Sequence, residues 1–310
     1  MVERMTFSML SRRFSSSMPS LVGLCLLFLT LAAGCMPFKQ ARVASVALTL
    51  QDVSQAAAKQ RDPFIVREGT PGYLMLLDGL LEAYPDNKEL LLAASQANAS
   101  YASGFLADED QRKAGRLYLK AKMYGFRALS DRGDFAEAAS GNIDEFKALL
   151  KRYGPKDVPA LFWTANAWAS WISTNLSSVE AVGDLPALEA TMQRVLELNG
   201  DYYYGGPHLL MGVYLAAKPP VLGGDLNRAR IHFDRALALS GGKVLGARVL
   251  FAEYYARNAQ EKELYVKTLE EVLAAAPGEV PELTLANVMA QEKARRLLDR
   301  TEEYFENAVP

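Results

Sequence analysis

Apolar side chains recur with a helical period from about residue 50 to the end of the chain. The stretch "DLNRARIHFDRALALSGG" shows this most clearly, since Asp225 suits the N-cap position and Gly241 suits the position after the last helical residue. Its apolar and small side chains form one stripe: Leu226, Ala229, Phe233, Ala236, Leu237 and Ser240. The spacing predicts a helix over Asp225–Ser240, with Arg228 and Arg235 on its solvated side.

The same pattern predicts helices through the rest of this region. Short breaks rich in Gly, Pro and Asn, such as "YPDN" and "KPPVLGG", separate them, and no stretch shows the alternation of a β-strand. The other predicted helices are Leu50–Gln60, Tyr73–Tyr84, Lys88–Phe105, Asp110–Ser130, Phe135–Lys151, Val158–Asn175, Ala187–Leu198, Pro207–Ala217, Val244–Asn258, Glu261–Ala276 and Pro281–Glu306. We therefore expect an all-α protein.

Matching small residues in neighbouring helices predict a repeat. Gly212 falls where a tetratricopeptide (TPR) repeat has the glycine of its first helix, and Ala229, Phe233 and Ala236 reproduce the A-x₃-F-x₂-A spacing of its second. Small residues let two helices approach closely, and an aromatic ring fills the gap between them. The linker is about five residues longer than the consensus, so this unit is a degenerate one.

Three further helix pairs extend the predicted array. They lie in Val244–Ala276, Val158–Leu198 and Lys88–Ser130, and the last helix has no partner after it. We expect a TPR-like helical-repeat superhelix of about four degenerate pairs, with flanking N-terminal helices and a C-terminal capping helix. An unrelated α-bundle is the alternative.

The N-terminal segment is expected to be a targeting signal. Arg4, Arg12 and Arg13 precede the uncharged run "LVGLCLLFLTLAAG", which is shorter than the roughly 20 apolar residues of a membrane span. Residues 1–34 are therefore predicted to be a removed signal peptide, with a retained signal anchor as the alternative.

The end of that run resembles a bacterial lipobox. In "LAAGC" the lipid would attach to Cys35, residues 35–49 would form the lipidated tether, and residues 50–310 a single all-α domain. The departure from the lipobox is Ala32, where Leu is preferred. The resemblance implies a periplasmic, lipid-anchored protein, and Met36 rather than Asp at the next position favours the outer membrane.

Composition and motifs narrow the function classes. A formal charge of −2 gives no indication of nucleic-acid binding, and Cys25 and Cys35 leave no disulfide for the mature chain. The nucleophile elbow G-x-S-x-G, the zinc motif H-E-x-x-H and the phosphate loop are absent. With His208 and His232 as the only histidines, we expect no metal, no cofactor and no enzymatic activity.

Two aromatic segments supply the candidate binding residues. "LFWTANAWASWISTN" places Trp163 and Trp171 on one helix face and Trp168 on another beside Asn175, while "DYYYGGPH" sets Tyr203 in a turn before a helix. Rings and hydroxyls of this kind can line a groove or tunnel for a ligand, although large rings also pack solenoid cores. The predicted lining residues are Trp168, Asn175 and Tyr203.

Longer strings resemble the TRAP transporter-associated T-component family of lipoproteins with cryptic TPR motifs. The resemblance spans about Leu74–Phe305 and is sharpest in P-x-x-x-G-G-D-x-x-x-A-x-x-H-F-x-x-A-L, at Pro219–Leu237, and L-A-N-x-x-A-Q-x-x-A-x-x-L-L, at Leu285–Leu298. In the second string Asn287 and Gln291 are i, i+4 neighbours, which we expect to hydrogen-bond within a buried seam. Tyr265 stands where the family usually has Phe.

The resemblance implies a function in transport. It implies a helical periplasmic protein that forms a homotrimer, has a pore or tunnel in each protomer, and associates with the solute-binding protein of a TRAP transporter. Its expected task is to hand over a ligand, with small hydrophobic molecules among the candidates. An envelope-assembly or cell-wall TPR scaffold without a transport role is the alternative.

Overall fold

The structure, a computed structural model, describes residues 49–305. The chain divides into two units, residues 1–51 and residues 52–310. The predicted signal peptide, Cys35 and nearly all of the predicted tether lie outside the described residues. Everything that follows concerns the second unit.

Helices make up the regular structure of the described residues, which contain no β-strand. Helical residues 49–58 (α1) come first. They are followed by α2 Pro63–Ala83, α3 Lys88–Tyr101, α4 Gln111–Leu129, α5 Phe135–Ser140, α6 Ile143–Leu150, α7 Val158–Ser173, α8 Val179–Gly183, α9 Leu185–Asn199, α10 Tyr202–Ala217, α11 Leu226–Ser240, α12 Leu245–Leu250, α13 Lys262–Ala274, α14 Thr284–Asp299 and α15 Thr301–Phe305. Two π-helices, Ala102–Leu106 and Phe251–Ala256, extend α3 and α12. The predicted fold class is confirmed.

Side-chain caps explain many of the helix starts. Asp225 accepts a hydrogen bond from Arg228 N at 3.0 Å, and Asn87 accepts one from Leu90 N at 2.8 Å. Such bonds satisfy amide groups that the first turn of a helix leaves without a partner. The other helices capped in this way are α2, α4, α5 and α6.

Several predicted helix boundaries were wrong. α2 begins at Pro63 rather than Tyr73 and runs through Pro71, since burial of Leu74, Leu77 and Leu81 outweighs the local preference for a break. The predicted helix Phe135–Lys151 is two helices, because Asn142 caps a new start after Gly141. The predicted last helix is interrupted at Arg300, and α8 was not predicted.

Four antiparallel pairs form the body of the unit, in the order that the sequence predicts. They are α3 with α4, α7 with α9, α10 with α11, and α12 with α13, while α14 follows them. In the third pair the site of a Cβ on Gly212 lies 3.1 Å from the Phe233 ring, and the Ala229 and Ala236 side chains are fully buried. The close approach of these helices therefore depends on small residues facing a ring.

Side-chain hydrogen bonds between successive units recur at nearly constant separations. Asn258 Nδ2 donates to Ala216 O at 2.9 Å, 42 residues away, and Arg194 Nη2 donates to Tyr153 O at 2.8 Å, 41 residues away. Lys262 Nζ contacts Glu302 across 40 residues. The repeat is thus longer than the roughly 34 residues of a TPR unit. The TPR-like description remains a prediction, whereas the helical repeat is observed.

Asn287 and Gln291 bond to backbone groups of neighbouring elements rather than to each other. Asn287 Oδ1 accepts from Leu245 N at 3.0 Å, and its Nδ2 donates to Lys243 O at 2.9 Å and Pro277 O at 3.2 Å. Gln291 Nε2 donates to Leu273 O at 3.3 Å, near the end of α13, and to Ala275 O at 2.9 Å, just after it. The two amides thus fix the start of α12 and the end of α13 on α14.

Helix α14, near the end of the unit, also contacts residues near its start. Arg296 on α14 pairs with Asp108 at 2.7 Å, although 188 residues separate them. A Cβ on Gly104 would lie 2.5 Å from Met289 Cε, so α14 sits directly against the π-helix after α3. The array of helices in this unit is therefore closed, because α14 packs against the π-helix after α3. We call this arrangement the closed circuit.

Candidate functional site

The predicted binding residue Tyr203 lies in an unusual turn at the start of α10. Tyr203, Tyr204 and Gly205 have φ values of 47°, 58° and 81°, so three successive residues adopt the left-handed conformation. A side chain in that region costs about 1–2 kcal/mol per residue, because its Cβ crowds the backbone. Such strain persists only where surrounding contacts hold it, and it often marks a binding site.

The turn carries a cluster of aromatic rings, here called the aromatic turn and defined as Trp163, Tyr202, Tyr203 and Tyr204. The Tyr203 ring centroid lies 5.0 Å from that of Trp163 and 6.0 Å from that of Tyr204, both edge-to-face. Tyr203 is 48% exposed and Tyr204 is 39% exposed. These rings form a partly exposed aromatic surface.

Close helix contacts fix the aromatic turn from beneath. Gly205 lies so close to α11 that a Cβ there would be 3.0 Å from Leu239 and 3.2 Å from the Ala236 backbone. The buried Phe162 ring contacts the Tyr202 ring at a centroid distance of 5.4 Å. In "YYYGG" the backbone is therefore left-handed, and the packing against α11 leaves no space for a side chain at Gly205.

The hydroxyl groups of Tyr202 and Tyr203 are protonated donors at neutral pH. Desolvation by the surrounding rings raises the pKa of Tyr202 and, together with its tyrosine neighbours, that of Tyr203. The crevice beneath the turn is apolar and too narrow to hold a water molecule; its lining is Phe162, Ala165, Met192, Val195, Pro207 and Leu210. Contacts at the turn would therefore be made on its outer surface.

Trp168, the second predicted lining residue, lies in the core instead. It is fully buried, and its Nε1 donates to Asp184 Oδ2 at 2.6 Å. The Lys122 ammonium also contacts Asp184 Oδ2, at 2.7 Å, and lies 3.8 Å from the centroid of the Trp171 ring. Asp184 thus satisfies a buried cation and an indole N–H together, and Trp168 faces no opening that solvent can reach.

Asn175, the third predicted lining residue, caps the end of α7. Its Nδ2 donates to Trp171 O at 2.8 Å and to Thr174 Oγ1 at 3.0 Å. The three predicted residues consequently do not form one site. Trp163, which the sequence places on one helix face with Trp171, is the α7 residue whose ring contacts Tyr203. Only the crossing of α7 and α10 reveals this contact.

The two histidines, which no motif in the sequence associates, lie in contact. Nδ1 of His208 on α10 is 3.0 Å from Nδ1 of His232 on α11. Burial lowers the pKa of both side chains, and for His232 burial followed by the charge of His208 lowers it to about 4. Within residues 49–305 no three His, Cys, Asp or Glu side chains converge as a metal site.

A second polar cluster lies where α14 meets the π-helix after α12. Lys293 Nζ contacts Glu253 Oε2 at 2.7 Å, and both side chains are partly buried. Burial lowers the pKa of Lys293, but the Glu253 carboxylate outweighs that effect and the pKa is raised overall. Lys293 is therefore a cation at neutral pH, and it lies near the contacts that join α14 to Asp108 and to the π-helix after α3.

Two comparisons indicate the relationship of this chain to known proteins. A protein of Treponema pallidum (strain Nichols), described as uncharacterized, is 22% identical over 298 residues, which cover 90% of this chain and 91% of the relative. Among residues 49–305, none of the helices has both the length and the apolar character that a membrane crossing requires. The family model described as TRAP transporter T-component matches residues 59–305. The chain therefore belongs to the TRAP transporter T-component family.

Proposed function

We propose that this protein is a lipid-anchored periplasmic component, held at the outer membrane, that binds the solute-binding protein of a TRAP transporter and helps to hand over a ligand. The family match over residues 59–305 carries the proposal. T-components are transport-associated, non-catalytic proteins, and TRAP components are periplasmic or envelope-associated. In this proposal Cys35 bears the lipid and the helical unit presents the binding surface.

The aromatic turn supports the proposed contact with the solute-binding protein. Tyrosine and tryptophan give a large contact area at low entropic cost and are enriched at the centres of interfaces. Tyr203 and Tyr204 are held outward by a strained backbone, so their rings are already ordered before a partner arrives. This surface is the best candidate for the partner contact.

The closed circuit supports passage of a ligand through the protomer. The contacts of α14 with Asp108 and with the π-helix after α3 bring the ends of the array together, and Glu253 and Lys293 lie partly exposed next to that junction. We place the proposed opening there, beside the ring of Tyr254. Assembly of three copies belongs to the same proposal.

A binding assay with purified partners tests the proposal. The Cys35→Ser form, which lacks the lipid site, is immobilised and offered the TRAP solute-binding protein of the same organism. We expect capture at low salt, and we expect Tyr203→Ala together with Trp163→Ala to weaken it at least about tenfold, as for a central hot spot. Val179→Ala is the matched control, because that side chain is 89% exposed on α8, beyond the opposite end of α9.

The outcomes separate the alternatives. Capture that the double variant leaves unchanged would place the contact away from the aromatic turn and keep the transport role. No capture at any salt concentration would remove the transport proposal. Retention of envelope-assembly or cell-wall proteins in its place would favour the scaffold alternative. Native mass spectrometry of the same sample reports bound small molecules and trimers.

A further inference from the structure

The histidine contact behind the aromatic turn has the geometry of a shared proton. The imidazole centroids of His208 and His232 are 5.2 Å apart, only 2.2 Å more than the 3.0 Å between the two Nδ1 atoms. Both nitrogens therefore lie close to the line that joins the ring centres and point at each other. One of them donates an N–H and the other accepts it, which requires that the pair carry at most one positive charge.

The surroundings disfavour a second proton. Both rings are half-buried. The charged groups that act on them are Arg228 and Arg235, on the same helix as His232, and Asp201, just before α10. Arg235 and Asp201 pair with each other at 3.2 Å, so the cation and the anion nearest His208 largely offset each other. A doubly protonated pair would place two imidazolium ions in contact beside another cation, Arg228.

The contact is mechanically linked to the aromatic turn. His208 follows Tyr204 by four residues on α10, while Gly205 rests on Ala236 and Leu239, one to two turns beyond His232 on α11. A Cβ on Gly200, at the end of α9, would lie 3.0 Å from His208 Nε2, so the ring is also fixed from its far side. Separation of α10 from α11 at the histidines would weaken the contacts of Gly205 with α11, which support the left-handed turn.

We propose that the His208–His232 pair is an acid-sensitive latch, which holds the aromatic turn in its strained conformation at neutral pH and releases it when both rings become protonated. The latch does not require the proposed partner contact, although it would regulate that contact if both exist.

The direction of the pH dependence follows from linkage. Each imidazole has a lower pKa in the folded protein than the roughly 6.5 of an exposed histidine. The unfolded or released state therefore binds more protons in acid, and stability rises with pH. The latch contributes fully above about pH 6.5, and its contribution is lost as the pH falls toward about 4, the pKa of His232.

Nuclear magnetic resonance can test the latch directly, because two histidines give only two sets of imidazole signals. The Cys35→Ser protein is titrated from pH 7.5 to 3.5, with fluorotyrosine as a reporter whose Tyr203 signal is assigned by Tyr203→Phe. We expect at least one imidazole to titrate below pH 5, and we expect the Tyr203 signal to shift in the same step.

Substitution separates the latch from general acid effects. In His232→Asn, a side chain that can hydrogen-bond but does not titrate, the contact can no longer hold two positive charges, so we expect the acid shift of Tyr203 to disappear. Far-ultraviolet circular dichroism at pH 7 confirms that the variant is folded; Ile231→Asn, whose side chain is 68% exposed one residue away, is the control and should keep the shift. Independent titration of both histidines near 6.5, or an unchanged Tyr203 shift in His232→Asn, would overturn the proposal. Neither result depends on the solute-binding protein.

Discussion

Two aromatic clusters draw on tryptophans of the same helix and differ in almost every physical respect. Around Trp168 the side chains are enclosed, and Lys122 and Asp184 neutralise each other within the core. Around Trp163 and Tyr203 the rings reach solvent, no ion pair joins them, and the backbone is strained. The first cluster is a satisfied polar core, whereas the second presents exposed, strained tyrosines that close helix contacts hold from beneath.

The difference teaches where to look for function in this helical repeat. A buried polar network stabilises a fold only when every member has a partner, and Asp184 supplies partners for both the ammonium and the indole N–H. Close helix contacts hold the strained turn, and strained residues of this kind cluster at binding sites. We therefore assign stability to the cluster at Trp168 and recognition to the aromatic turn, and three comparisons test that division.

The largest effect is expected from Asp184→Ala. The change removes the close partner of the buried Lys122 ammonium, leaving only the exposed Glu180 carboxylate at 3.9 Å, and it removes the acceptor of the Trp168 N–H. We therefore expect a loss of about 3–5 kcal/mol in the free energy of unfolding. Urea denaturation monitored by circular dichroism measures it. Asp234→Ala, which removes an exposed i, i+4 partner of Arg230, should cost less than about 1 kcal/mol. Equal losses in the two variants would contradict the assignment.

A smaller effect is expected from exchanging indole for phenyl at the two tryptophans. Trp168→Phe removes a charge-assisted hydrogen bond and leaves a small cavity, and we expect a loss of about 2–3 kcal/mol. Trp163→Phe retains an apolar ring at a half-buried position and should cost less than about 1 kcal/mol. The same denaturation experiment compares them. A larger loss at Trp163 than at Trp168 would reverse the roles of the two clusters.

The smallest effect on stability is expected from Tyr203→Gly. Glycine adopts a φ of 47° without strain, so relief of about 1–2 kcal/mol offsets the lost ring contacts, and the net change should stay within about 1 kcal/mol. Partner binding should nevertheless fall at least about tenfold, because the ring is gone. A loss of stability above about 2 kcal/mol would instead show that Tyr203 serves the fold.

Sequence reasoning succeeded where short-range signals act. The helix Leu226–Ser240 begins after Asp225 and ends before Gly241 in the left-handed conformation, as the capping and glycine rules predict. Its stripe of small and aromatic residues faces α10, because only that face can be buried. The same local rules misjudged α2, where buried leucines carry a helix through a proline.

The candidate site was only partly predictable for a physical reason. Trp163 and Trp168 lie on different sides of α7, and the sequence alone does not tell which side meets another helix and which meets the aromatic turn. Tyr203 was identified from its turn, whereas the contact between His208 and His232 depends on the register of α10 against α11 and leaves no signature in the sequence.

The sequence by itself determined the helices, their caps, their order in pairs and the family to which the chain belongs, since each depends on residues close in the chain or on strings that can be matched directly. Only the tertiary structure decided that the array closes on itself, that Trp168 is core, that Asn287 fixes α12 on α14, and that His208 and His232 lie in contact behind a strained turn. Those features depend on the crossing and register of helices that are distant in sequence, and many side chains acting together set both.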